Sequence, residues 1–235
     1  MFQRLEILIG NKIDLLNKKT ILLIGLGGVG GNAFLSLVRS GIGRIIVIDN
    51  DTFDITNLNR QALSYNQTLG KDKVLIAKKF AYEINPNCEI ITKKIFVDKT
   101  NIEDILNEKI DFVIDAIDTV ETKKLIMKNC LNKSIKFISV MGTGNKMHPE
   151  MLEITDIRKT SYDPIAKIIR KMVKDEKINK KIPVVFSKEK PLVKGKVGST
   201  AFVPPVAGLM AVSYVVQKLL EEENEWKIIT NCKRS

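Results

Sequence analysis

Five closely spaced glycines near the amino end have the pattern of a loop that binds phosphate. They lie in TILLIGLGGVGG, residues 20–31, and are Gly25, Gly27, Gly28, Gly30 and Gly31. Between a strand and a helix, glycines let backbone N–H groups and the positive end of the helix approach an anion closely. The pattern therefore predicts an anion site. It does not identify the ligand, because NAD, FAD and ATP proteins share it and tight helix packing also uses glycines.

One acid near the end of the next apolar run fits a nucleotide. Asp49 lies in RIIVIDND, residues 44–51, where dinucleotide-binding folds place the carboxylate that accepts hydrogen bonds from ribose hydroxyls. This position suits NAD and ATP equally, so both remain open at this point.

The polar block that follows favours a triphosphate. DNDTFDITNLNRQ, residues 49–61, precedes GKDKV, residues 70–74, and the two segments supply Arg60 and Lys73. A nicotinamide site has little use for these cations, whereas a triphosphate that loses pyrophosphate needs positive charge on its β and γ groups. The alternative for each is a solvated surface ion pair.

The elements that must position these residues alternate along the first half. Short β-branched runs at residues 20–24, 44–51, 88–97, 111–118 and 136–144 are separated by amphipathic stretches such as 32–40 and 70–84. This alternation is typical of βαβ units. We predict an α/β fold with a Rossmann-like doubly wound, mostly parallel sheet and an elaborated C-terminal half.

The second half is less regular and strongly basic. Asp163 and Pro164 can begin a helix whose apolar residues recur at helical spacing, at Ile165, Ile168, Ile169, Met172 and Val173. Residues 156–198 contain thirteen Lys or Arg against five Asp or Glu, while the whole chain carries a net charge of +11. Such a surface suits a polyanion such as RNA, although a solvated lysine-rich face has the same composition.

The nucleotide-site motifs resemble those of the ubiquitin-activating superfamily, which includes the sulfur-carrier adenylating enzymes. They are GLGGVGG, DND with TNLNRQ, GKDKV and the strand end DAID. The resemblance implies that Asp49 holds the ribose of ATP, that Asn57 and Arg60 engage its phosphates, and that Lys73 neutralises the α-phosphate. It also implies that Asp118 positions Mg²⁺.

Three further residues match this superfamily pattern. Arg4, ahead of ILIG at residues 7–10, resembles an arginine that reaches the ATP of the other subunit. That role implies a homodimer. Asp51 and Asn59 match acidic and polar positions of the nucleotide-binding motif, so the resemblance places both beside ATP.

Segments of the second half resemble the bacterial tRNA threonylcarbamoyladenosine dehydratases. They are GTGNKMHPE, DIRKTSYDPIAKIIR, VVFSKEKP and VGST, within residues 142–200. This resemblance implies ATP-dependent cyclisation of the threonylcarbamoyl group on adenosine 37, in the tRNA anticodon loop. The candidates for tRNA contact are Arg158, Lys159, Lys167, Arg170 and Lys171, and Asp163 lies in the same segment. A cysteine desulfurase or sulfur-acceptor system stays open as a further partner.

The cysteines argue against the alternative within this superfamily, adenylation of the C-terminal glycine of a ubiquitin-like sulfur carrier. Cys88, Cys130 and Cys232 form no CxxC pair, so the sequence offers neither a four-cysteine zinc site nor a thiol close to the motifs. A third hypothesis is a nicotinamide-dependent oxidoreductase. It does not explain the presence of Arg60, Lys73 and Asp118.

We therefore predict one adenylating domain over residues 1–235, with a nucleotide-binding half at 1–145 and a substrate-binding and dimer half at 146–235. The amino end shows no secretory signal, which predicts a cytoplasmic protein with reduced thiols. The apolar stretch 205–220 is shorter than a membrane span and contains polar residues, so we expect it to lie in the core or a dimer interface.

Overall fold

A seven-stranded sheet organises the computed structural model, which describes residues 1–193 and 195–221. The strand order is β3-β2-β1-β4-β5-β7-β6, and β6 alone runs antiparallel, beside β7. The strands are β1 Thr20–Ile24, β2 Arg44–Ile48, β3 Glu89–Lys93, β4 Phe112–Asp115, β5 Phe137–Val140, β6 Leu152–Asp156 and β7 Pro183–Ser187. The predicted mostly parallel sheet is confirmed.

Helices cover both faces of this sheet. They are α1 Gln3–Ile9, α2 Ile13–Leu16, α3 Gly30–Arg39, α4 Lys73–Ile84, α5 Ile102–Ile105, α6 Val120–Asn132, α7 Pro164–Asp175 and α8 Val203–Glu221. One apolar core includes residues of α2, α3, α4 and α8, and the other includes residues of α5, α6 and α7. Because both faces are covered, the central strands β1 and β4 are buried along their whole length and are apolar except for Thr20 and Asp115 at their ends.

The chain reverses its direction of winding between β1 and β4. From β1 it proceeds outward to β2 and β3, and then it returns past β1 to β4 and β5. Ligands of open α/β sheets bind at the carboxyl ends of the strands at such a switch point. The glycine loop follows β1, and Asp118 lies three residues after β4, so both lie at this position.

Helix α7 begins as predicted, with one difference in its buried face. Asp163 caps it by accepting a hydrogen bond from the Ala166 N–H at 2.8 Å. Ala166 packs in the core, whereas Ile168, which the apolar spacing places in the core, is 42% exposed. The core-facing stripe of the helix is therefore shifted toward Ala166, a residue too small to stand out in the sequence pattern.

The apolar stretch near the carboxyl end forms α8, which is long and apolar enough to cross a membrane by composition. Half of that apolar window is buried inside the protein. A side-chain carbon on Gly208 would lie 2.3 Å from the carbonyl oxygen of Val29, so α8 lies against the glycine loop and the start of α3. Of the two predicted placements, the core holds for the buried part of α8, and a dimer interface for its exposed part stays a prediction.

Candidate active site

A cleft of about 1920 Å³ runs along the carboxyl ends of the parallel strands. Its lining includes the glycine loop, the segment after β2, Asp118 after β4, and loops that follow β5 and β7. The cleft exceeds the roughly 300–1,000 Å³ typical of a small-molecule pocket. It has room for a nucleotide and for part of a second substrate.

The glycine loop depends on glycine at two positions. Gly25 has a φ of 98°, and a side-chain carbon there would lie 2.7 Å from the carbonyl oxygen of Ala116. A side-chain carbon on Gly30 would lie 1.8 Å from the carbonyl oxygen of Gly25. By contrast, Gly27 faces open space in the cleft, so its role is to leave that space for a ligand.

Asp49 ties β2 to this loop. Its Oδ2 accepts a hydrogen bond from the Leu26 N–H at 2.6 Å, and its Oδ1 accepts one from the Asp51 N–H at 2.8 Å. Burial raises the pKa of the Asp49 carboxyl, while the charge of Lys73 and the two backbone N–H groups act in the opposite direction. Each carboxylate oxygen keeps a lone pair, and the carboxyl lines the cleft.

Lys73 presents a nearly buried cation to the same part of the cleft. Its side chain is 5% exposed, and its ammonium lies 3.0 Å from Asp51 Oδ2. The Lys73 N–H also binds the carbonyl oxygen of Asp51 at 3.1 Å, so two contacts fix the start of α4 beside the segment after β2. The sequence predicted both residues beside ATP, and the structure brings them together.

Arg60 crosses the mouth of the glycine loop. The carbons of its side chain lie beside Gly28, and its guanidinium binds the carbonyl oxygen of Thr56 at 2.8 Å and Asn59 Oδ1 at 3.0 Å. Asn59 in turn donates to the carbonyl oxygen of Ser199 at 3.1 Å. Asn57 is buried, and its Oδ1 accepts from the Asp54 N–H at 3.1 Å.

Asp118 lies exposed on the floor of the cleft, where no described residue forms a hydrogen bond with its carboxylate. Among residues 1–193 and 195–221, no three acidic, His or Cys side chains converge as a metal-binding group. Mg²⁺ at nucleotide sites is usually held by one or two carboxylates together with the phosphates, so one carboxylate fits that ion. The role of Asp118 stays a prediction.

The other acid of DAID has a different environment that the sequence did not reveal. Asp115 and Lys123 are both fully buried below the cleft floor, and Lys123 Nζ lies 3.0 Å from both carboxylate oxygens. Ser139 donates to Asp115 Oδ2 at 2.5 Å and accepts from Lys123 at 3.1 Å. This network joins β4, α6 and β5 immediately before the turn that carries Asp118.

Asn145 organises the loop over the far end of the cleft. Its Oδ1 accepts from the Gly198 N–H at 2.6 Å, and its Nδ2 donates to the carbonyl oxygens of Val193 and Lys196 at 3.2 and 3.4 Å. Asn145 itself has a φ of 58°, a left-handed conformation that asparagine tolerates. The two sequence motifs GTGN and VGST therefore meet in space.

A buried polar group lies beside that loop. Glu189 is buried and accepts hydrogen bonds from the Met147 and His148 N–H groups at 3.0 Å, and Lys146 Nζ donates to its carbonyl oxygen. Burial lowers the pKa of Lys146, although the charges of Asp163 and Glu189 raise it. Lys146 and Asp163 both line the cleft. Lys146 and Glu189 lie in the quoted segments GTGNKMHPE and VVFSKEKP, but neither was singled out from the sequence.

Tyr162 adds an aromatic surface to the same wall. Its ring is exposed and lies 4.9 Å from Lys190 Nζ, measured to the ring centroid. The backbone φ of 55° is rare for a bulky residue, and such conformations concentrate at functional sites. Both side chains line the cleft.

The basic residues predicted to contact tRNA lie outside the cleft. Arg158 lies at the edge of the sheet opposite the cleft, where its guanidinium binds Asp156 at 2.9 Å and the carbonyl oxygen of Ile178 at 2.5 Å. Arg170 donates to Thr160 Oγ1 at 2.5 Å. Lys159, Lys167 and Lys171 are exposed. The two arginines are therefore hydrogen-bonded within the protein, whereas the three lysines extend into solvent. Contact with tRNA stays a prediction for all five residues.

The remaining predicted residues lie apart from the cleft. Arg4 is exposed on α1 and does not line the cleft of its own chain. Cys88 and Cys130 are buried, and burial raises the pKa of each thiol to about 12, so neither is a ready nucleophile. Cys232 lies outside the described residues. His148 is exposed and pairs with Glu150 at 2.7 Å, which raises its pKa.

Comparisons with known proteins agree with this geometry. The chain matches the ThiF family over residues 4–233. It is 41% identical to the tRNA threonylcarbamoyladenosine dehydratase of Bacillus subtilis, over 94% of this chain and 95% of that protein. It is 32% identical to the Haemophilus influenzae protein of the same name, over 89% of this chain and 88% of that protein. The crystal structure of E. coli tRNA N6-threonylcarbamoyladenosine dehydratase in complex with ATP gives a TM-score of 0.90 at 30% identity, covering 94% of each chain.

Proposed function

The chain belongs to the ThiF family, and on that basis we propose that it uses ATP to dehydrate N6-threonylcarbamoyladenosine at position 37 of tRNA. The observation that carries the proposal is one continuous cleft with a phosphate-binding loop at one end and a separate polar wall at the other. A nucleotide and a modified base can therefore occupy the same cleft.

The chemistry has two steps. The threonyl carboxylate attacks the α-phosphorus of ATP, a P–O bond breaks, and pyrophosphate leaves. The ureido nitrogen that bears the adenine then attacks the activated carbon, closes a hydantoin-type ring and expels AMP. Preorganised cations stabilise the charge that develops at phosphorus. Lys73 and Arg60 are the cations on the cleft wall that suit this role.

In this reaction, each polar residue near the glycine loop has a role toward ATP. Asp49 binds the ribose, the glycine loop and Asn57 bind the phosphates, and Asp51 holds Lys73 in place. Asp118 would hold Mg²⁺, which supplies positive charge to the phosphates. Asn59 links this half to the loop at Ser199, so it couples the nucleotide site to the acceptor end.

Arg4 is proposed to serve the cleft of a partner subunit in a homodimer. It is exposed on α1, outside its own cleft, and the neighbouring Ile7 and Leu8 are 77% and 75% exposed. Exposed adjacent apolar side chains are a property of protein interfaces. A dimer that covers them would bring α1 against another chain.

The test is isotope exchange between pyrophosphate and ATP, with tRNA that carries threonylcarbamoyladenosine as the carboxylate substrate. We expect exchange with this tRNA, and none with unmodified tRNA or with a carrier protein ending in Gly-Gly. Asp118→Asn should reduce exchange by about 10²- to 10³-fold, as for loss of one electrostatic stabiliser. Asp98→Asn, the same change in a turn outside the cleft, is the matched control. Exchange with the carrier protein alone would replace this function with the sulfur-carrier alternative.

A further inference from the structure

Asp163 caps α7 with one of its two carboxylate oxygens, and the other oxygen is not needed for this role. Its Oδ1 caps α7 through the Ala166 N–H, and one oxygen suffices for such a cap. Its Oδ2 is buried, the whole residue is only 2% exposed, and no described residue forms a well-aligned hydrogen bond with this oxygen; the nearby Gly142 N–H lowers the pKa of the carboxyl but does not complete such a bond. Buried carboxylate oxygens without partners are rare because the loss of solvation is costly. This oxygen therefore points to a ligand group that donates a hydrogen bond.

The position of Asp163 places it at the acceptor end of the cleft. Its carboxylate lies against Gly142, which follows β5 by two residues. Along the sheet edge, Asp49 follows β2, the glycine loop follows β1, Asp118 precedes α6 after β4, and Gly142 follows β5. Neighbouring strands are about 4.8 Å apart, so Gly142 lies roughly 10 Å from the glycine loop along this edge. The acyl carbon lies two bonds from the α-phosphorus, so a phosphate bound at the glycine loop, the acyl carbon and the attacking nitrogen together span a distance of this order.

Resting on the proposed function, we propose that Asp163 is the base that accepts the proton from the ureido nitrogen as the ring closes. The new N–C bond forms while the bond between the acyl carbon and the AMP oxygen breaks. AMP leaves with that electron pair and with one oxygen of the former carboxylate. The proton on the nitrogen passes to the Asp163 carboxylate, and the carboxyl releases it again before the next turnover.

The electrostatic environment shifts the pKa of Asp163 upward, in the direction that favours proton uptake by a base. Burial raises the pKa of the Asp163 carboxyl, and the charge of Lys146 together with backbone N–H groups lowers it. The other charged group on this wall is Lys190, which lies beside the Tyr162 ring. Glu189, from the segment after β7, is buried and binds the Met147 and His148 N–H groups. A carboxylate with a raised pKa takes a proton more readily and is still ionised above that pKa.

The test separates ring closure from adenylation with Asp163→Asn. Asparagine is as good a helix cap as aspartate, so the variant should fold, but its amide cannot accept the proton. We expect the rate of AMP and cyclic product formation to fall by about 10²- to 10⁴-fold. Pyrophosphate exchange with the modified tRNA should stay within a few-fold of wild type. Asp163→Ser, which also caps a helix, should behave in the same way.

The pH dependence gives a second readout. In the wild type, the rate of ring closure should fall as the pH drops through the pKa of Asp163, because the protonated carboxyl cannot accept a proton. Asp163→Asn should lose this limb of the profile. Ring closure at the wild-type rate, or equal loss of exchange and ring closure, would overturn the assignment. Failure of the wild type to support exchange would instead contradict the proposed function.

Discussion

The buried Lys123–Asp115–Ser139 network is the residue-scale feature that most directly supports the cleft floor. Each member is fully buried and each contacts the other two. A buried ion pair contributes little net stability compared with apolar packing, but an unpaired member is very costly. The network therefore fixes the end of β4, and with it the turn that leads to Asp118, in one arrangement.

We expect Lys123→Met to reduce the free energy of unfolding by about 3–5 kcal/mol, because Asp115 would remain buried without its cation. Chemical denaturation measures this change. The double variant Asp115→Leu with Lys123→Met should be more stable than Lys123→Met alone, because it also removes the stranded carboxylate. A Lys123→Met protein as stable as the wild type would show that the network has no such role.

At this scale, sequence predicts which residues follow a strand but not which of them face the cleft. DAID places Asp115 and Asp118 three residues apart, and only the packing of α6 distinguishes a buried carboxylate from an exposed one. Lys146 and Glu189 lie in motifs that the sequence identified, yet their burial depends on a contact across 43 positions. Such contacts leave no local pattern in one sequence.

At the scale of helices and strands, the sequence predicts the elements whose formation depends on neighbouring residues. The strand and glycine turn at residues 20–31 and the cap of α7 each depend on neighbouring residues, and the structure confirms them. The antiparallel strand β6 was not predicted, because its partner β7 lies about thirty residues later along the chain. Helix α6 was also missed, since its mostly polar sequence gives a weak apolar pattern.

The loop over the far end of the cleft shows the same limit. Asn145 binds Val193, Lys196 and Gly198 through side-chain contacts that span about fifty positions. The sequence supplied the two motifs but not their contact. In the structure, the left-handed backbone at Asn145 directs its side chain toward the loop, and this brings the two motifs together.

At the scale of the whole molecule, charge is distributed between two functions. In the cleft, Lys73 is nearly buried and paired with Asp51, and Lys146 is buried, whereas the lysines of α7 are exposed outside the cleft. Exposed lysines of one helix attract a polyanion without selecting its sequence. We propose that α7 holds the tRNA backbone while the cleft binds the modified base.

Replacing Lys167, Lys171 and Lys174 with Gln should weaken tRNA binding and leave ATP affinity unchanged. The slope of log affinity against log salt should decrease in magnitude by up to about 2 to 3, because each lysine neutralises at most one phosphate. Filter binding at several salt concentrations measures the slope. The same change at the exposed Lys18, Lys79 and Lys109 is the charge-matched control. An equal effect of both triple variants would show that only net charge matters.

The proposed reaction can be tested by following one carboxylate oxygen atom of the substrate. Adenylation followed by ring closure transfers a carboxylate oxygen of the substrate to AMP. The most direct measurement uses tRNA whose threonylcarbamoyl carboxylate carries ¹⁸O, with mass spectrometry of the nucleotide products. We expect AMP that contains one ¹⁸O atom and pyrophosphate that contains none. Formation of ADP with ¹⁸O in inorganic phosphate, or release of the label into water, would contradict it.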